Sequence, residues 1–463
     1  MPVETFDHAM GDSDALMWNV ERDPHLRSTI VTVLMLDRAP EWTQLLARIE
    51  RGSRLIPRMR QRVVEPALRI GPPHWSADPD FDLAYHVRRM RVPKPRSVAS
   101  VLEVAATAAM GDFDRARPLW EYTLVEGLPG DRAAFIIKVH HSMTDGVGGM
   151  QLLLMLFDLE RDPAPAGPDP DPVSLPVFSP VGLLAQSVEW QARRAADATR
   201  QAAGVARGVW ERVRDDAARA LDEAVNAAGS VARFLAPASS PLSPLLQVRS
   251  LDRRVATLDV GLDDLKRAAK AVDGSLNDAF VAGVAGGLRR YHDAHGVAVD
   301  ELRMIMPINV RGEGAGLGGN QFVPARVLVP VGIEDPVERV REIGERSRRL
   351  QAEPAIALSQ PLAGVLNRLP RRVATALFGA MLKGADFVTS NVPGSPFPLY
   401  MCGSEVDTIY ALAPLSGAAA NVTLLSHCGT CNIGINTDAR AIPDTATFTD
   451  AVREGLDEIV ALG

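Results

Sequence analysis

The sequence predicts an α/β protein in which strand and helix patterns alternate in two separate stretches of the chain. Residues Arg27 to Leu36 are rich in β-branched and apolar side chains, which indicates a strand, and Glu41 to Arg51 and Val98 to Met110 are predicted to be helices. The alternation begins again at Leu251 to Val260, a predicted strand, and continues with a predicted helix from Asp263 to Ala271. These observations indicate two α/β halves in one chain.

A change in composition separates the two halves. Residues 162–180 contain PAPAGPDPDPVSLPVFSP, which predicts an extended rather than a packed segment. Val181 to Phe234 is rich in alanine and arginine, with apolar side chains at four-residue spacing that predict a long helix or a helical pair. This insert either braces the two halves, which we favour, or lies on a lipid surface. The predicted domains are residues 1–165, a helical linker of residues 166–248, and residues 249–463.

The second half continues with further alternating elements. Predicted helices are Ser275 to Tyr291, Pro336 to Leu350, a proline-interrupted stretch from Leu358 to Leu382, and Thr445 to Leu462. Predicted strands are Leu302 to Val310, Asn421 to Leu425 and Cys431 to Thr437, the last two forming a hairpin, and Phe387 to Gly394 is predicted to be a strand that runs into a turn. Pro324 cannot donate a ladder hydrogen bond, which predicts an edge strand or a bulge at that position.

Residues 133–157 carry the most informative pattern. Apolar side chains alternate from Phe135 to Val139, which predicts a strand that ends in His140 and His141. By that period His141 continues the face of Phe135, Ile137 and Val139, while His140 points to the opposite side. A loop with Asp145, Gly146, Gly148 and Gly149 follows, and then an apolar run at helical spacing.

An imidazole near its ordinary pKa of about 6.5 is the commonest general base. Asp145 either orients an imidazole or anchors the loop by pairing with an arginine, and we favour the anchor. A buried structural role is the usual fate of a single histidine, although two adjacent histidines before Asp-Gly rarely arise by chance. A metal site would need three or four ligands, and neighbouring strand residues cannot both face one ion. Glycines without Lys-Ser/Thr are only a weak indication of phosphate binding.

Composition excludes several classes of protein. The 46% hydrophobic and 23% charged residues are ordinary for a globular protein, and a net charge of -7 argues against nucleic-acid binding. Three cysteines cannot form a disulfide framework and suit a reducing compartment. Cys428 and Cys431 resemble half of a zinc site, but a hairpin turn is the favoured interpretation. We expect no secretory signal in the first 18 residues, and no stretch approaches the ~18 apolar residues of a membrane span.

The seven residues from His140 to Gly146 resemble the HHxxxDG motif of the acyl-CoA-dependent acyltransferase superfamily. That superfamily includes chloramphenicol acetyltransferases, peptide-synthetase condensation domains and the bacterial wax ester synthase/diacylglycerol acyltransferases. Its second histidine is the catalytic base, which implies that role for His141. Its aspartate is mainly structural, which agrees with the anchor interpretation of Asp145 and implies Arg311 as a salt-bridge partner.

Further blocks resemble the wax ester synthase/diacylglycerol acyltransferases in the order found in that family. They are Pro73-His74-Trp75, Phe81 to Arg88, Pro118-Leu119-Trp120, Asn277-Asp278, Gly319-Asn320 and Ser390 to Gly394. Pro118 and Trp120 are expected to be structural. Departures from the family pattern occur at Pro324 and at Tyr410 to Pro414.

Two interpretations of Asn277 and Asp278 stay open. Ser275 and Asp278 have the spacing of a capping box, so the pair can simply begin a helix. The family resemblance instead places both residues near the active site, where the Asn277 amide would donate to an oxyanion.

The resemblance implies a fold of two chloramphenicol-acetyltransferase-like halves, each a mixed sheet with helices, and an active site at their junction. It implies an O-acyltransferase that moves a long-chain acyl group from acyl-CoA to the hydroxyl of diacylglycerol, of a long-chain fatty alcohol, or of both. His141 would be the general base, with His140, Asp145 and Gly146 completing the motif. No metal or other cofactor is expected, because acyl-CoA serves as a co-substrate.

Two alternatives stand beside this expectation. One is a condensation-type acyltransferase that depends on a carrier protein, and the other is a non-catalytic lipid-binding protein. The expected location is the cytoplasm, with peripheral association on the inner membrane face or on a lipid-droplet surface, and no nucleic-acid partner is expected.

Overall fold

A computed structural model describes most of the chain. The described residues are 8–69, 71–143, 156–164, 167–171, 173–193, 240–309, 322–353 and 371–463, together with residues 200, 207, 226 and 229. The strands are β1 (Thr29–Leu36), β2 (Gln61–Val64), β3 (His74–Ala77), β4 (Val87–Arg91), β5 (Trp120–Glu126), β6 (Ala133–His140), β7 (Arg253–Gly261), β8 (Leu302–Asn309), β9 (Phe322–Val329), β10 (Phe387–Val392), β11 (Tyr400–Met401), β12 (Ser404–Leu412), β13 (Ala420–His427) and β14 (Thr430–Asp438). The helices are α1 (Asp12–Val20), α2 (Trp42–Leu55), α3 (Leu83–His86), α4 (Val98–Met110), α5 (Leu262–Ala271), α6 (Leu276–Ala294), α7 (Pro336–Gln351), α8 (Arg371–Leu382) and α9 (Thr445–Val460).

Two mixed six-stranded sheets form the frame of the protein. The first has the strand order β11-β12-β1-β6-β5-β4, in which only β4 and β5 are parallel neighbours. The second has the order β7-β14-β13-β10-β8-β9, in which β10 runs parallel to both β13 and β8. Each sheet packs against helices, so the predicted α/β class with mixed sheets is confirmed.

The second half of the chain completes the first sheet. Strands β11 and β12 belong to residues 400–412, yet β12 pairs antiparallel with β1 along Val31↔Leu412 to Leu36↔Val406. At the junction, the N–H of Ile409 on β12 donates to the side-chain oxygen of Asn432 on β14 at 3.1 Å. The two sheets are therefore joined in two ways: a strand from the second half of the chain pairs in the first sheet, and that strand also contacts β14 in the second sheet.

The core of the second half is built on α6, which is buried along most of its length. Glycine makes its packing against α9 possible. A Cβ at Gly287 would lie 2.5 Å from the Cα of Val452, and one at Gly455 would lie 2.2 Å from the carbonyl oxygen of Gly283. Larger residues would force the two helix backbones apart.

The described residues of the proline-rich segment form no helix or strand and are exposed or half-buried, but hydrogen bonds hold the segment on the protein. The N–H of Ala77 donates to the carbonyl of Pro176 at 2.9 Å, and the N–H of Phe178 donates to Ser76 Oγ at 2.9 Å. These bonds attach the segment to the β2–β3 hairpin. Residues 182–193 are helical. The rest of the predicted helical insert lies almost wholly outside the described residues.

Candidate active site

The two motif histidines lie where β6 ends. The strand finishes at His140, and His141 begins a short 3₁₀ turn through Met143. The prediction that the strand includes His141 is therefore wrong by one residue, and the face expected for the His141 side chain stays a prediction. The backbone still follows β1 at this point, since the N–H of His141 donates to the carbonyl of Ser28 at 2.7 Å.

The two imidazoles have different environments. The His140 ring is fully buried, with 0% of the residue exposed, and it forms T-shaped contacts with the rings of Trp18 and Phe113, each with centroids 6.0 Å apart. His141 is only partly buried. A base that accepts a proton from a substrate must be reachable, so the exposure of these rings favours His141 over His140 for that role.

The contacts of His140 assign its neutral tautomer. Both the N–H and the Oγ of Ser142 approach Nδ1, at 3.1 and 2.7 Å. Because a backbone N–H can only donate, Nδ1 carries no proton and Nε2 does. Nε2 lies 3.0 Å from Oε2 of Glu21, although the N–H does not point straight along this contact. His140 therefore links the turn that follows it to a carboxylate at the end of α1.

Glu21 is a residue that the sequence did not single out. Its carboxylate accepts the N–H of Ser28 at 3.2 Å and a guanidinium N–H of Arg115 at 3.2 Å. Burial alone would raise the pKa of Glu21, but His140, Ser28 and Arg115 outweigh burial and hold that pKa below its ordinary value. A charged carboxylate therefore lies directly behind the histidine turn. No local sequence signal connects Glu21 to His140, because only the fold brings them together.

The other motif residues cannot be placed. Asp145 and Gly146 lie outside the described residues, and so does Arg311. The proposed Asp145–Arg311 salt bridge and the anchor role of Asp145 stay predictions.

Asn277 and Asp278 begin α6. Ser275 Oγ accepts the N–H of Asp278 at 3.1 Å, and the Asp278 carboxylate accepts the N–H of Ser275 at 2.9 Å. This reciprocal pair is a capping box, so the helix-start interpretation is confirmed. The Asn277 amide nitrogen lies 3.5 Å from the sulfur of Met306 on β8. A direct role for either residue with substrate stays a prediction.

The Phe81 to Arg88 and Pro118-Leu119-Trp120 blocks form one cluster beside the histidine turn. Trp120 is buried, donates from its indole nitrogen to the carbonyl of Met59 at 2.8 Å, and stacks on His86 with ring centroids 4.4 Å apart. The carbonyl of Leu119 accepts the N–H of His140 at 3.0 Å. The structural role expected for Trp120 is confirmed, and it extends to the backbone of the motif.

Close backbone contact explains the glycine of the Ser390 to Gly394 block. A Cβ at Gly394 would lie 2.0 Å from the carbonyl oxygen of Ser426 at the end of β13. Only glycine permits this approach, so the block fixes the turn that follows β10.

A cavity of about 510 Å³ lies away from the histidine turn. It runs along α7 and the loop before α6, and its lining includes five acidic residues and two arginines, namely Asp273, Asp335, Glu338, Glu342, Glu345, Arg341 and Arg348. None of its lining residues belongs to the histidine turn or to a strand of the first sheet.

Solved structures share this two-sheet fold. The first condensation domain of the calcium-dependent antibiotic synthetase, in complex with a substrate analogue, matches with a TM-score of 0.62 and 15% identity over 98% of this chain and 96% of that one. The wax ester synthase/diacylglycerol acyltransferase from Marinobacter aquaeolei VT8 matches with a TM-score of 0.62 and 21% identity, covering 97% of this chain and 98% of that one. The fold is thus the one common to condensation domains and these acyltransferases.

Sequence comparison gives the family. The model of the wax ester synthase/diacylglycerol acyltransferase catalytic domain matches residues 10–280, and that of the WS/DGAT C-terminal domain matches residues 318–460. A Mycobacterium tuberculosis protein provisionally named a diacylglycerol O-acyltransferase is 38% identical over 98% of this chain and 92% of its own length. The chain therefore belongs to the wax ester synthase/diacylglycerol acyltransferase family, and it is an acyltransferase.

The described helices also bear on membrane topology. None of those in the described part of the chain combines the length and the apolarity that crossing a bilayer requires.

Proposed function

We propose that this protein transfers a long-chain acyl group from acyl-CoA to the hydroxyl of diacylglycerol, of a long-chain fatty alcohol, or of both, with His141 as the general base. Family membership supports the reaction class. The observation that carries the assignment of the base is the contrast between the two histidines, since His140 is sealed and engaged by Ser142 while His141 is partly exposed.

The proposed reaction has two linked steps. His141 accepts the hydroxyl proton while the alcohol oxygen attacks the thioester carbonyl carbon. The tetrahedral intermediate then collapses, the carbon–sulfur bond breaks, and His141 returns the proton to the coenzyme A thiolate. General-base catalysis of this kind contributes about 10²- to 10⁴-fold to the rate, and alignment of the two substrates contributes further. Acyl-CoA is a co-substrate, and the proposal needs no metal or redox cofactor.

We place diacylglycerol ahead of fatty alcohols as the acceptor. Several relatives, including the Mycobacterium tuberculosis protein, carry diacylglycerol O-acyltransferase in their names. Both acceptors present a primary or secondary hydroxyl on an apolar body, so one base can serve both.

We also propose that the protein works in the cytoplasm at a lipid surface, which it contacts without spanning. Its long-chain substrates partition into membranes or lipid droplets, and the three cysteines, all free thiols in the structure, suit a reducing compartment. Flotation with vesicles that contain diacylglycerol tests this contact, and protein left at the bottom of the gradient would contradict it.

The test of function is a two-part assay on the full chain. Purified protein is incubated with palmitoyl-CoA and a panel of hydroxyl acceptors, thiol release is followed, and the lipid products are separated by chromatography. We expect an ester product that depends on the acceptor and is lost in His141→Ala. Turnover with an acyl-carrier thioester alone would indicate a condensation-type enzyme, and lipid binding without turnover would indicate a binding protein.

A further inference from the structure

We propose that Glu21 is a positioning residue that holds the turn carrying His141 in its working orientation. The inference rests on the proposed function, because it assumes that His141 is the base. Glu21 is the C-cap residue of α1. Its side chain contacts His140 and is only 10% exposed. Its two carboxylate oxygens reach the histidine turn by separate routes.

The first route runs through the backbone of Ser28. One oxygen of Glu21 accepts the Ser28 N–H at 3.2 Å, and the Ser28 carbonyl accepts the N–H of His141 at 2.7 Å. The peptide groups on both sides of Ser28 are thus fixed between the carboxylate and the first residue of the turn. A displacement of the Glu21 carboxylate would therefore displace the Ser28 carbonyl, which accepts the N–H of His141.

The second route runs through the His140 ring. The other oxygen of Glu21 lies 3.0 Å from the protonated Nε2 of His140, while Nδ1 accepts from Ser142 in the middle of the turn. A carboxylate next to Nε2 favours the tautomer that leaves Nδ1 free to accept. Glu21 therefore favours the His140 tautomer in which Nδ1 can accept the hydrogen bonds from Ser142.

Arg115 balances the charge of this buried carboxylate. Its guanidinium donates to Glu21 at 3.2 Å and covers the ring of Trp18, whose centroid lies 4.1 Å from the guanidinium carbon. The rings of Trp18 and His140 meet in a T-shaped arrangement. Oε2 of Glu21 thus contacts both the guanidinium and the imidazole, while Oε1 accepts the N–H of Ser28.

Replacing Glu21 with glutamine separates these effects from the size of the side chain. If the amide oxygen faces Ser28, the amide N–H groups meet the donors of His140 and Arg115. If the amide is reversed, its N–H groups meet the N–H of Ser28 instead. Either orientation leaves one donor of the network without its acceptor, so Glu21→Gln disturbs the turn although it preserves shape.

The matched control is Glu65→Gln. Glu65 accepts the indole N–H of Trp18 at 2.8 Å, so it also supports α1 through a carboxylate. A glutamine at that position keeps an oxygen for the indole, and Glu65 does not contact the histidine turn through this bond. The same chemical change, made at a residue that follows β2 and holds α1 through Trp18, therefore tests the support of α1 while leaving the hydrogen bonds of Glu21 in place.

The first measurement is the steady-state kinetics of coenzyme A release by the full chain with palmitoyl-CoA and diacylglycerol. We expect Glu21→Gln to lower kcat by about 10²-fold with KM for palmitoyl-CoA nearly unchanged, since misplacing a catalytic group costs rate rather than substrate binding. Glu65→Gln should keep kcat within about 2-fold of the unmodified protein. An equal kcat in both variants, or a change confined to KM, would overturn the proposal.

The second measurement is independent of activity. Nitrogen-15 NMR of protein labelled at histidine, with the His140 signals assigned from His140→Gln, reports which ring nitrogen carries the proton. We expect an unprotonated Nδ1 in the unmodified protein and in Glu65→Gln, and an altered pattern in Glu21→Gln. If unmodified protein lacks acyl transfer, the proposed function fails, whereas an unaltered His140 pattern in Glu21→Gln defeats the role of Glu21 even in an active enzyme.

Discussion

Gly434 on β14 lies directly against Ala411 on β12, so close that a Cβ at Gly434 would stand 2.2 Å from the carbonyl oxygen of Ala411. The two residues belong to different sheets. Their contact allows the crossing strand β12 to lie against the second sheet while it pairs with β1 in the first.

We expect Gly434→Ala to destabilise the protein by about 2 kcal/mol or more, because the added methyl group must displace backbone rather than a flexible side chain. Urea unfolding followed by circular dichroism measures the change. Gly111→Ala is the control, since a Cβ there would have its nearest neighbour at 3.5 Å, an ordinary contact distance. Equal stability of the two variants would show that the junction can relax.

The two motif histidines should respond differently to removal. We expect His141→Ala to lower kcat/KM by at least about 10²-fold and to leave the free energy of unfolding within about 0.5 kcal/mol of the original. His140→Ala should also lower the free energy of unfolding by about 2–3 kcal/mol, because the buried contacts of Glu21 and Ser142 lose their partner. Thermal unfolding and thiol release on the same samples measure both effects, and retained activity in His141→Ala would remove it as the base.

The stability of the protein in acid should depend on the charge of Glu21. Because its folded pKa lies below the ordinary value of 4.5, the unfolded chain binds more protons between these two values, and stability therefore rises with pH in that window. The contribution of Glu21 is present above pH 4.5 and is lost as the pH falls through the folded pKa. We expect the stability difference between the unmodified protein and Glu21→Gln to be largest near pH 7 and to shrink below pH 4.5. Urea titrations at a series of pH values measure it, and a difference that grows in acid would contradict the assignment.

Trp120 should tolerate loss of its hydrogen bond better than loss of its ring. Trp120→Phe leaves the buried carbonyl of Met59 without its donor and should cost about 1–3 kcal/mol, while the ring still stacks on His86. Trp120→Ala also removes the stacked ring and should cost about 3–5 kcal/mol. Chemical unfolding ranks the two variants. Equal costs would mean that the indole N–H carries the whole effect.

Helices that are defined by residues close together in the sequence were predicted correctly. The helix predicted at Val98 to Met110 has the same bounds in the structure, with Ser97 Oγ accepting the N–H of Ser100 as its N-cap. The capping box of α6 was also evident from the spacing of Ser275 and Asp278. The edge position expected for Pro324 is found too, since β9 is the last strand of its sheet.

Other features depend on long-range packing and could not be predicted. Helix α1 was not predicted, because its buried residues include Asp14 and Asn19 as well as Trp18, which obscures any apolar period. The pattern of β12 indicates a strand but does not specify its partner, and pairing with β1 joins residues from opposite ends of the chain. For the same reason, the candidate site could be predicted down to its histidines but not to Glu21.

The pairing of β12 with β1 also determines when the first sheet can be completed during biosynthesis. When only the first half of a nascent chain has left the ribosome tunnel, one hydrogen-bonding edge of β1 is open. The strand that covers this edge is β12, which consists of residues 404–412. The first sheet can close only when translation is nearly finished. Chains truncated before β12 should therefore aggregate, and chaperone binding during synthesis should persist until β12 has emerged.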